Sequence, residues 1–193
     1  MLRSGGMVTR ATFGSIPSGL DGVRATLRLM VGTTRHFLKP TAGDADRVQA
    51  LLQVRMMASN LVLDIPEKDY FNECAALQRF ARDAIRYTED MRGAEQLQYP
   101  DFTLATQAGD CDDKAILFCS LASCIGRATR FAAIAVPTDD DPNGECFSHV
   151  CGQAMVPGRG WINAECIPID DQGTKVEFGW FPPDATCIML AHI

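Results

Sequence analysis

Helical and strand-like patterns occupy different parts of this chain, and their order is the feature that most restricts its fold. Apolar residues recur at helical spacing over residues 69–87 and again over 111–125. Residues 129–137 then read as a strand, a second strand begins near Ser148, and a PGRG turn leads into a third at Trp161. Helices followed by antiparallel strands predict an α+β fold.

The beginning of the chain predicts a mainly helical arm. Residues 1–20 are rich in glycine and read as irregular. Residues 23–38 fit either a strand or a helix face, and their leucine, methionine and arginine content favours the helix. Asp44 or Asp46 can cap a further helix, which Pro66 closes.

Pro66 also marks a boundary between two predicted domains. The arm comprises residues 1–66, and the second domain comprises residues 67–193. Within the second domain, residues 88–109 contain glycine and proline but little periodicity. They predict a long loop that delivers the chain to the helix beginning at Cys111.

Charge and hydropathy argue against two classes of function. The net charge of −6 argues against a nucleic-acid surface, because phosphate binding needs clustered lysine and arginine. No window approaches the roughly 18 consecutive apolar residues of a membrane span, and the N-terminus lacks the apolar stretch of a secretory signal. We therefore expect synthesis in the cytoplasm without membrane insertion. The basic excess of residues 1–40 indicates a solvated or partner-facing surface.

The chain contains eight cysteines, which could indicate disulfides, zinc ligands or buried thiols. Without a secretory signal we expect reduced thiols rather than a disulfide framework. The pairs 119/124 and 146/151 each have four intervening residues, whereas zinc sites more often use shorter spacings with regular histidines. We therefore predict neither a metal nor another cofactor.

Cys111 has the position of a reactive thiol. In the segment GDCDDK, Asp110 is a plausible N-cap, which places Cys111 at the first helical position beside unpaired N–H groups. The helix dipole and a cationic histidine favour a thiolate there, with a pKa of about 3.5–7.5. Asp110, Asp112 and Asp113 oppose ionisation unless they point elsewhere or bind backbone N–H groups.

A nucleophilic thiol needs a base, and the sequence offers three histidines. His36 lies in the basic N-terminal segment, and His192 lies next to the end of the chain, where fraying would disturb its geometry. His149 begins a predicted strand, and the helix–strand order can bring it against the start of the preceding helix. We therefore predict His149 as the base.

The base needs an acceptor that fixes its tautomer, and Glu165 is the first candidate. A simple turn centred on Gly158 and Arg159 would place Pro168 opposite His149, so Glu165 lies about three residues out of register. A bulge or the length of the glutamate side chain could close that gap. Asp170 is the second candidate. Asn163 is a third, although it lies further from the histidine than Glu165.

These residues resemble a known family, the transglutaminase-like domain proteins, particularly their small bacterial and phage-encoded group. The resemblance covers roughly residues 67–170. It rests on QYP at 98–100, GDCDDK at 109–114 with its following helix and Gly126, RF at 130–131, HV at 149–150, and PGRGW at 157–161 leading to Glu165.

The resemblance implies a papain-like core with a nucleophile helix packed on an antiparallel sheet. It also implies a Cys, His, Asp triad, carried here by Cys111, His149 and Glu165, with Glu in place of the usual Asp. The spacing of sixteen between His149 and Glu165 is similar to the family's His-to-Asp spacing. Gln98 or Gln107 is a candidate additional donor to an oxyanion.

Two functions are compatible with this reading, because the fold alone does not name the reaction. The first is a thiol-dependent acyl-transfer enzyme that acts on peptide or glutamine amides, by hydrolysis or by transfer to an amine. The second is a structural protein, in which the arm of residues 1–66 docks on a partner such as a phage particle. For phage-encoded relatives, the resemblance also implies a virion or morphogenesis setting.

Overall fold

The computed structural model describes residues 10–13, 19–41, 43–89, 95–137, 141–143, 147–167 and 175–193. Its helices are α1 (Gly19–Leu38), α2 (Ala45–Leu61), α3 (Tyr70–Asp83), α4 (Pro100–Thr106) and α5 (Cys111–Cys124). Its strands are β1 (Arg10–Phe13), β2 (Arg86–Tyr87), β3 (Glu95–Gln98), β4 (Ala108–Gly109), β5 (Thr129–Ala135), β6 (Phe147–Val156), β7 (Gly160–Ala164) and β8 (Cys187–His192). None of the helices in these ranges has the length and apolar character needed to cross a membrane.

Aspartate side chains cap the N-termini of α2, α3 and α5. Asp44, Asp69 and Asp110 each accept a hydrogen bond from the backbone N–H three residues further on, at 3.0, 3.3 and 3.1 Å. Each bond satisfies one of the N–H groups that a helix leaves without an internal partner. The predicted starts of α2, α3 and α5 are confirmed, and Asp44 rather than Asp46 caps α2.

Helix α5 lies at the centre of the molecule. Its residues from Asp112 to Ala122 are all buried, and the other helices and strand β6 pack around it. A helix that is buried on every side must be apolar around most of its circumference, as this one is. Leu27 of α1, Leu77 of α3 and Val150 of β6 belong to the same hydrophobic core. Helices on both sides of Pro66 therefore share one core, and the domain boundary at residue 66 stays a prediction.

The main sheet is antiparallel and has the strand order β7-β6-β5-β8. In its register Ala132 of β5 lies opposite Cys151 of β6. Strand β8 is an edge strand that the sequence pattern did not predict. Helices α1 and α5 pack on β5 and β6. The predicted α+β fold, in which the helix beginning at Cys111 packs on an antiparallel sheet, is confirmed.

The prediction of a long loop over residues 88–109 was wrong, because β3, α4 and β4 lie within it. Pro100 is the first residue of α4, a position at which a backbone N–H has no partner within the helix, so the missing N–H of proline costs no hydrogen bond. Gln107 ends the helix with a φ of 50°. Strand β3 pairs with β1, so the segment 1–20 also contains a strand. Proline, which breaks a helix from inside, here starts one.

Strand β6 approaches α5 closely at Gly152. A Cβ atom at this position would lie 2.6 Å from Phe118 Cδ1 and 2.9 Å from Cys119 Sγ. Both neighbours are fully buried, so they cannot move without disturbing the core. We expect Gly152→Ala to lower the free energy of unfolding by about 1–3 kcal/mol. Urea denaturation followed by circular dichroism measures this change.

The matched control is Gly32→Ala in α1, where a new Cβ atom meets nothing within 4 Å. We expect this variant to be more stable than the wild type by about 0.5–1 kcal/mol, because alanine loses less backbone entropy in a helix. Equal unfolding free energies for the two variants would contradict the close packing of β6 on α5.

Candidate active site

The start of α5 is held in place by two aspartates near Cys111, Asp110 before it and Asp113 after it. Asp110 caps the helix, and Asp113 Oδ1 accepts a hydrogen bond of 2.7 Å from the Gln98 N–H of β3. Gly109 packs so tightly on Asp113 that a Cβ atom would lie 2.6 Å from Asp113 Cβ. These contacts fix the first helical turn, and Cys111 is its first residue.

His149 and Glu165 form a direct pair. His149 Nε2 lies 2.6 Å from Glu165 Oε2, and the Glu165 side chain is 1% exposed. The second carboxylate oxygen, Oε1, accepts a hydrogen bond of 2.9 Å from the Ile167 N–H. Because Nε2 is engaged by the carboxylate, Nδ1 is the ring nitrogen that remains for another group.

The strand register explains how Glu165 reaches the histidine. Val156 pairs with Gly160, and the β6–β7 pairing ends with Gly152 opposite Ala164. The predicted register, which would have paired Pro157 with Gly160, was wrong by one residue. Glu165 follows directly on β7 and lies diagonal to His149, a separation that a long side chain can span.

Cys111 and His149 line one cavity of about 360 Å³. Helix α1 forms another wall of this cavity, with residues such as Val23 and Leu27. Cys111 Sγ lies 3.5 Å from Asp112 Oδ1 and also contacts the Val150 N–H. Among the described residues, no hydrogen bond joins Cys111 to His149 in this conformation. The structure therefore brings the two residues to the same cavity with the thiol turned towards Asp112.

Burial raises the pKa of the Cys111 thiol well above its ordinary value, and the Asp112 and Asp110 carboxylates raise it further. The Val150 N–H acts in the opposite direction. The expectation of a lowered pKa at the helix start was therefore wrong for this conformation. Asp113 and Asp110 bind backbone N–H groups, but the Asp112 carboxylate faces the thiol.

The other histidines lie away from this cavity. His36 Nδ1 is 3.1 Å from the Tyr99 hydroxyl, and the His192 ring packs on Trp161 with 5.3 Å between centroids. Neither lines the cavity that contains Cys111. Of the three histidines, His149 is the one that lines the same cavity as the thiol.

Among the described residues, the alternatives for the third position and the oxyanion do not line the cavity of Cys111 and His149. Asn163 Oδ1 accepts from Cys151 Sγ at 2.8 Å, and its amide nitrogen donates to the Trp180 carbonyl. Asp170 lies outside the described residues. Gln98 is buried in β3 and Gln107 is exposed after α4, so neither lines the cavity of Cys111 and His149.

Two residues near the site were not singled out from the sequence. Lys114 is 1% exposed and donates to the Arg82 and Ile85 carbonyls at 3.2 and 2.6 Å. Burial lowers the pKa of Lys114, and the nearby Glu165 carboxylate opposes that change. Burial raises the pKa of the Tyr87 phenol to about 12. The nearby Cys111 and the Asp110 carboxylate act in the same direction. Lys114 could have been identified from the sequence, because it is a lysine inside an otherwise apolar helix.

No group of three histidine, cysteine, aspartate or glutamate side chains within the described ranges could hold a metal ion. Of the two cysteine pairs considered for zinc, Cys119 is buried against the Arg130 carbonyl and Cys124 lies at the end of α5. Cys146, in the other pair, lies outside the described residues.

Comparison with solved structures finds similar chains of low sequence identity. A candidate cysteine protease from Cytophaga hutchinsonii aligns with a TM-score of 0.49 and 16% identity, over 84% of this chain and 56% of its own. A candidate protease from Parabacteroides distasonis ATCC 8503 aligns with a TM-score of 0.46 and 12% identity, over 70% of this chain and 25% of its own. The present chain thus corresponds to about half of the first protein and a quarter of the second.

Comparison with sequences gives one assignment. No curated protein matches the chain significantly. The sequence profile of the transglutaminase-like superfamily matches residues 59–166, which is more than half of the chain and includes Cys111, His149 and Glu165. The chain therefore belongs to the transglutaminase-like superfamily.

Proposed function

We propose that this protein is a thiol-dependent acyl-transfer enzyme in which Cys111 is the nucleophile, His149 the general base and Glu165 the residue that orients it. The observation that carries the proposal is the buried contact of 2.6 Å between His149 Nε2 and Glu165 Oε2, next to a cavity that also contains Cys111. A carboxylate on Nε2 keeps the proton on that nitrogen and leaves the lone pair on Nδ1 for the thiol.

The raised pKa of Cys111 decides how the reaction begins. The resting thiol keeps its proton at neutral pH, so His149 Nδ1 removes that proton as Sγ attacks the carbonyl carbon. This step requires the thiol to turn from Asp112 towards the imidazole. The Cys111 N–H belongs to the first helical turn, whose N–H groups lack internal partners, and we assign it to the developing oxyanion.

The second half of the reaction returns the proton. His149 protonates the leaving amine, and the acyl group remains on Cys111 as a thioester. Water then gives hydrolysis, whereas a second amine gives transfer or cross-linking. The substrate is an amide of a protein or peptide, either in the main chain or in a glutamine side chain.

A scaffold function is the alternative, and one observation favours it. A half-buried thiol with a raised pKa and no hydrogen bond to His149 is also the arrangement of an inactive site. In that case the fold would serve assembly, with the arm of residues 1–66 docking on a partner such as a phage particle. Association with a virion stays a prediction. The two functions differ in the chemistry of Cys111.

We expect His149→Ala to reduce the rate at which iodoacetamide labels Cys111 at neutral pH, because the base that removes the thiol proton is lost. Peptide amide turnover should fall by about 10²–10⁴-fold. Labelling of the native protein from about pH 4 to about pH 9, with each cysteine quantified by peptide mass, measures the first effect. Cys124 is the internal control, since it lies at the far end of the same helix with a pKa also raised by burial.

The Glu165→Gln variant tests the third residue. A glutamine amide can donate to Nε2 and so move the ring proton to Nδ1, where it blocks the thiol. We expect a loss of turnover of about 10²–10⁴-fold with the fold intact. Glu67→Gln, at an exposed position in the turn before α3, is the matched control.

The labelling experiment also separates the two proposed functions. If Cys111 and Cys124 label alike in the wild type and in His149→Ala, the scaffold function is the better explanation.

Asp112→Asn should lower the pKa of Cys111, because it removes the nearest carboxylate that opposes the thiolate. The pH profile of iodoacetamide labelling should therefore shift to lower pH. Asp64→Asn, in the exposed turn after α2, removes an equal charge far from the thiol and should leave the profile unchanged. Identical profiles for wild type and Asp112→Asn would show that Asp112 does not control the thiol.

A further inference from the structure

A second cavity of about 420 Å³ also has His149 in its wall. It shares Ser148 and His149 with the cavity that contains Cys111, so the imidazole borders both cavities. Its remaining walls are mainly apolar and include Val136, Ile167 and Trp180. A cavity with such walls favours a large apolar side chain over a polar one.

The walls of this second cavity are held by bonds that do not depend on a ligand. Asn163 Nδ2 donates to the Trp180 carbonyl at 2.8 Å, and the Gly179 N–H donates to the Asn163 carbonyl at 2.8 Å. Glu165 Oε1 accepts from the Ile167 N–H at 2.9 Å, while its other oxygen holds His149. One buried carboxylate therefore positions both the imidazole and a wall of the cavity, which makes the cavity preformed.

The order of the reacting atoms assigns this cavity to one side of the substrate. In the proposed reaction the acyl carbon bonds to Cys111 Sγ, and the amine nitrogen must lie within reach of His149 to exchange a proton with it. The Cys111 cavity therefore holds the acyl side. The chain that continues from the nitrogen beyond His149 enters the second cavity.

We infer that the cavity lined by Val136, Ile167 and Trp180 binds a large aliphatic or aromatic side chain of the residue that carries the amine, either leaving or entering. This inference rests on the proposed function and names the substrate preference of the same site. The exposed Asp184 carboxylate also borders the cavity, and it disfavours an acidic side chain there.

Transfer from a preformed acyl-enzyme tests this preference directly. p-Nitrophenyl acetate acylates the thiol and releases p-nitrophenol. An added amine then attacks the thioester carbon, so that the new C–N bond forms, the C–S bond breaks, and His149 carries the amine proton to the thiolate. The two amines are phenylalaninamide and glycinamide, at equal concentrations of free base. The ratio of N-acetyl amide to acetate measures how well each amine competes with water, and it does not depend on the acylation step.

We expect the wild type to prefer phenylalaninamide over glycinamide by about tenfold or more, since burial of a phenyl side chain supplies at least that factor. Trp180→Ala should reduce the preference towards unity. The main-chain bonds of Trp180 survive this change, and Ile167→Ala is a second variant in case the first does not fold. Ile188→Ala, at a position on β8 that is 51% exposed and outside the cavity, should keep the wild-type preference.

The failures of the two proposals are distinguishable. If the wild type gives no p-nitrophenol burst, or Cys111→Ser gives the same burst, the acyl-transfer function itself is overturned. If the burst depends on Cys111 but the wild type shows no preference between the amines, the assignment of the second cavity is wrong. That assignment is also wrong if Trp180→Ala and Ile167→Ala both keep the full preference for phenylalaninamide.

Discussion

The close packing of β6 on α5 determines where Cys111 and His149 lie relative to each other. Gly152 has no side chain, so the strand lies directly against Phe118 and Cys119 of the helix. His149 is three residues earlier on β6, and Cys111 is at the N-terminal end of α5. A strand held one side-chain layer further from the helix would separate the two. The positions of the thiol and the imidazole thus follow from a packing constraint in the middle of the core.

Buried charge is the second constraint on the site. Glu165 is 1% exposed, and a carboxylate in such a place is tolerated only when its oxygens are bonded and compensating charge is near. Both oxygens are bonded, and the buried Lys114 ammonium lies close enough for its pKa to respond to Glu165.

Local signals in the sequence predicted the helix starts and the position of Cys111 at the start of α5, because caps and periodicity depend on neighbouring residues. The β6–β7 register was wrong by one residue because the connecting loop has three residues rather than two, with positive φ at Gly158 and Gly160. The sign of the pKa shift of Cys111 was not predictable, since it depends on burial and on where the Asp112 side chain turns. Trp180 lies in a segment without periodicity, so nothing in the sequence placed it near His149.

In the proposed mechanism, the raised pKa of the thiol increases the importance of Glu165. A thiolate already formed beside an imidazolium would need the histidine mainly as a positive charge. A protonated thiol instead requires proton transfer in the same step as attack, and this transfer needs a lone pair on the correct ring nitrogen. The Glu165 carboxylate accepts from Nε2 and so leaves that lone pair on Nδ1. A carboxylate next to the thiol and a carboxylate behind the imidazole therefore act together, because the first keeps the proton on sulfur until attack and the second determines which nitrogen receives it.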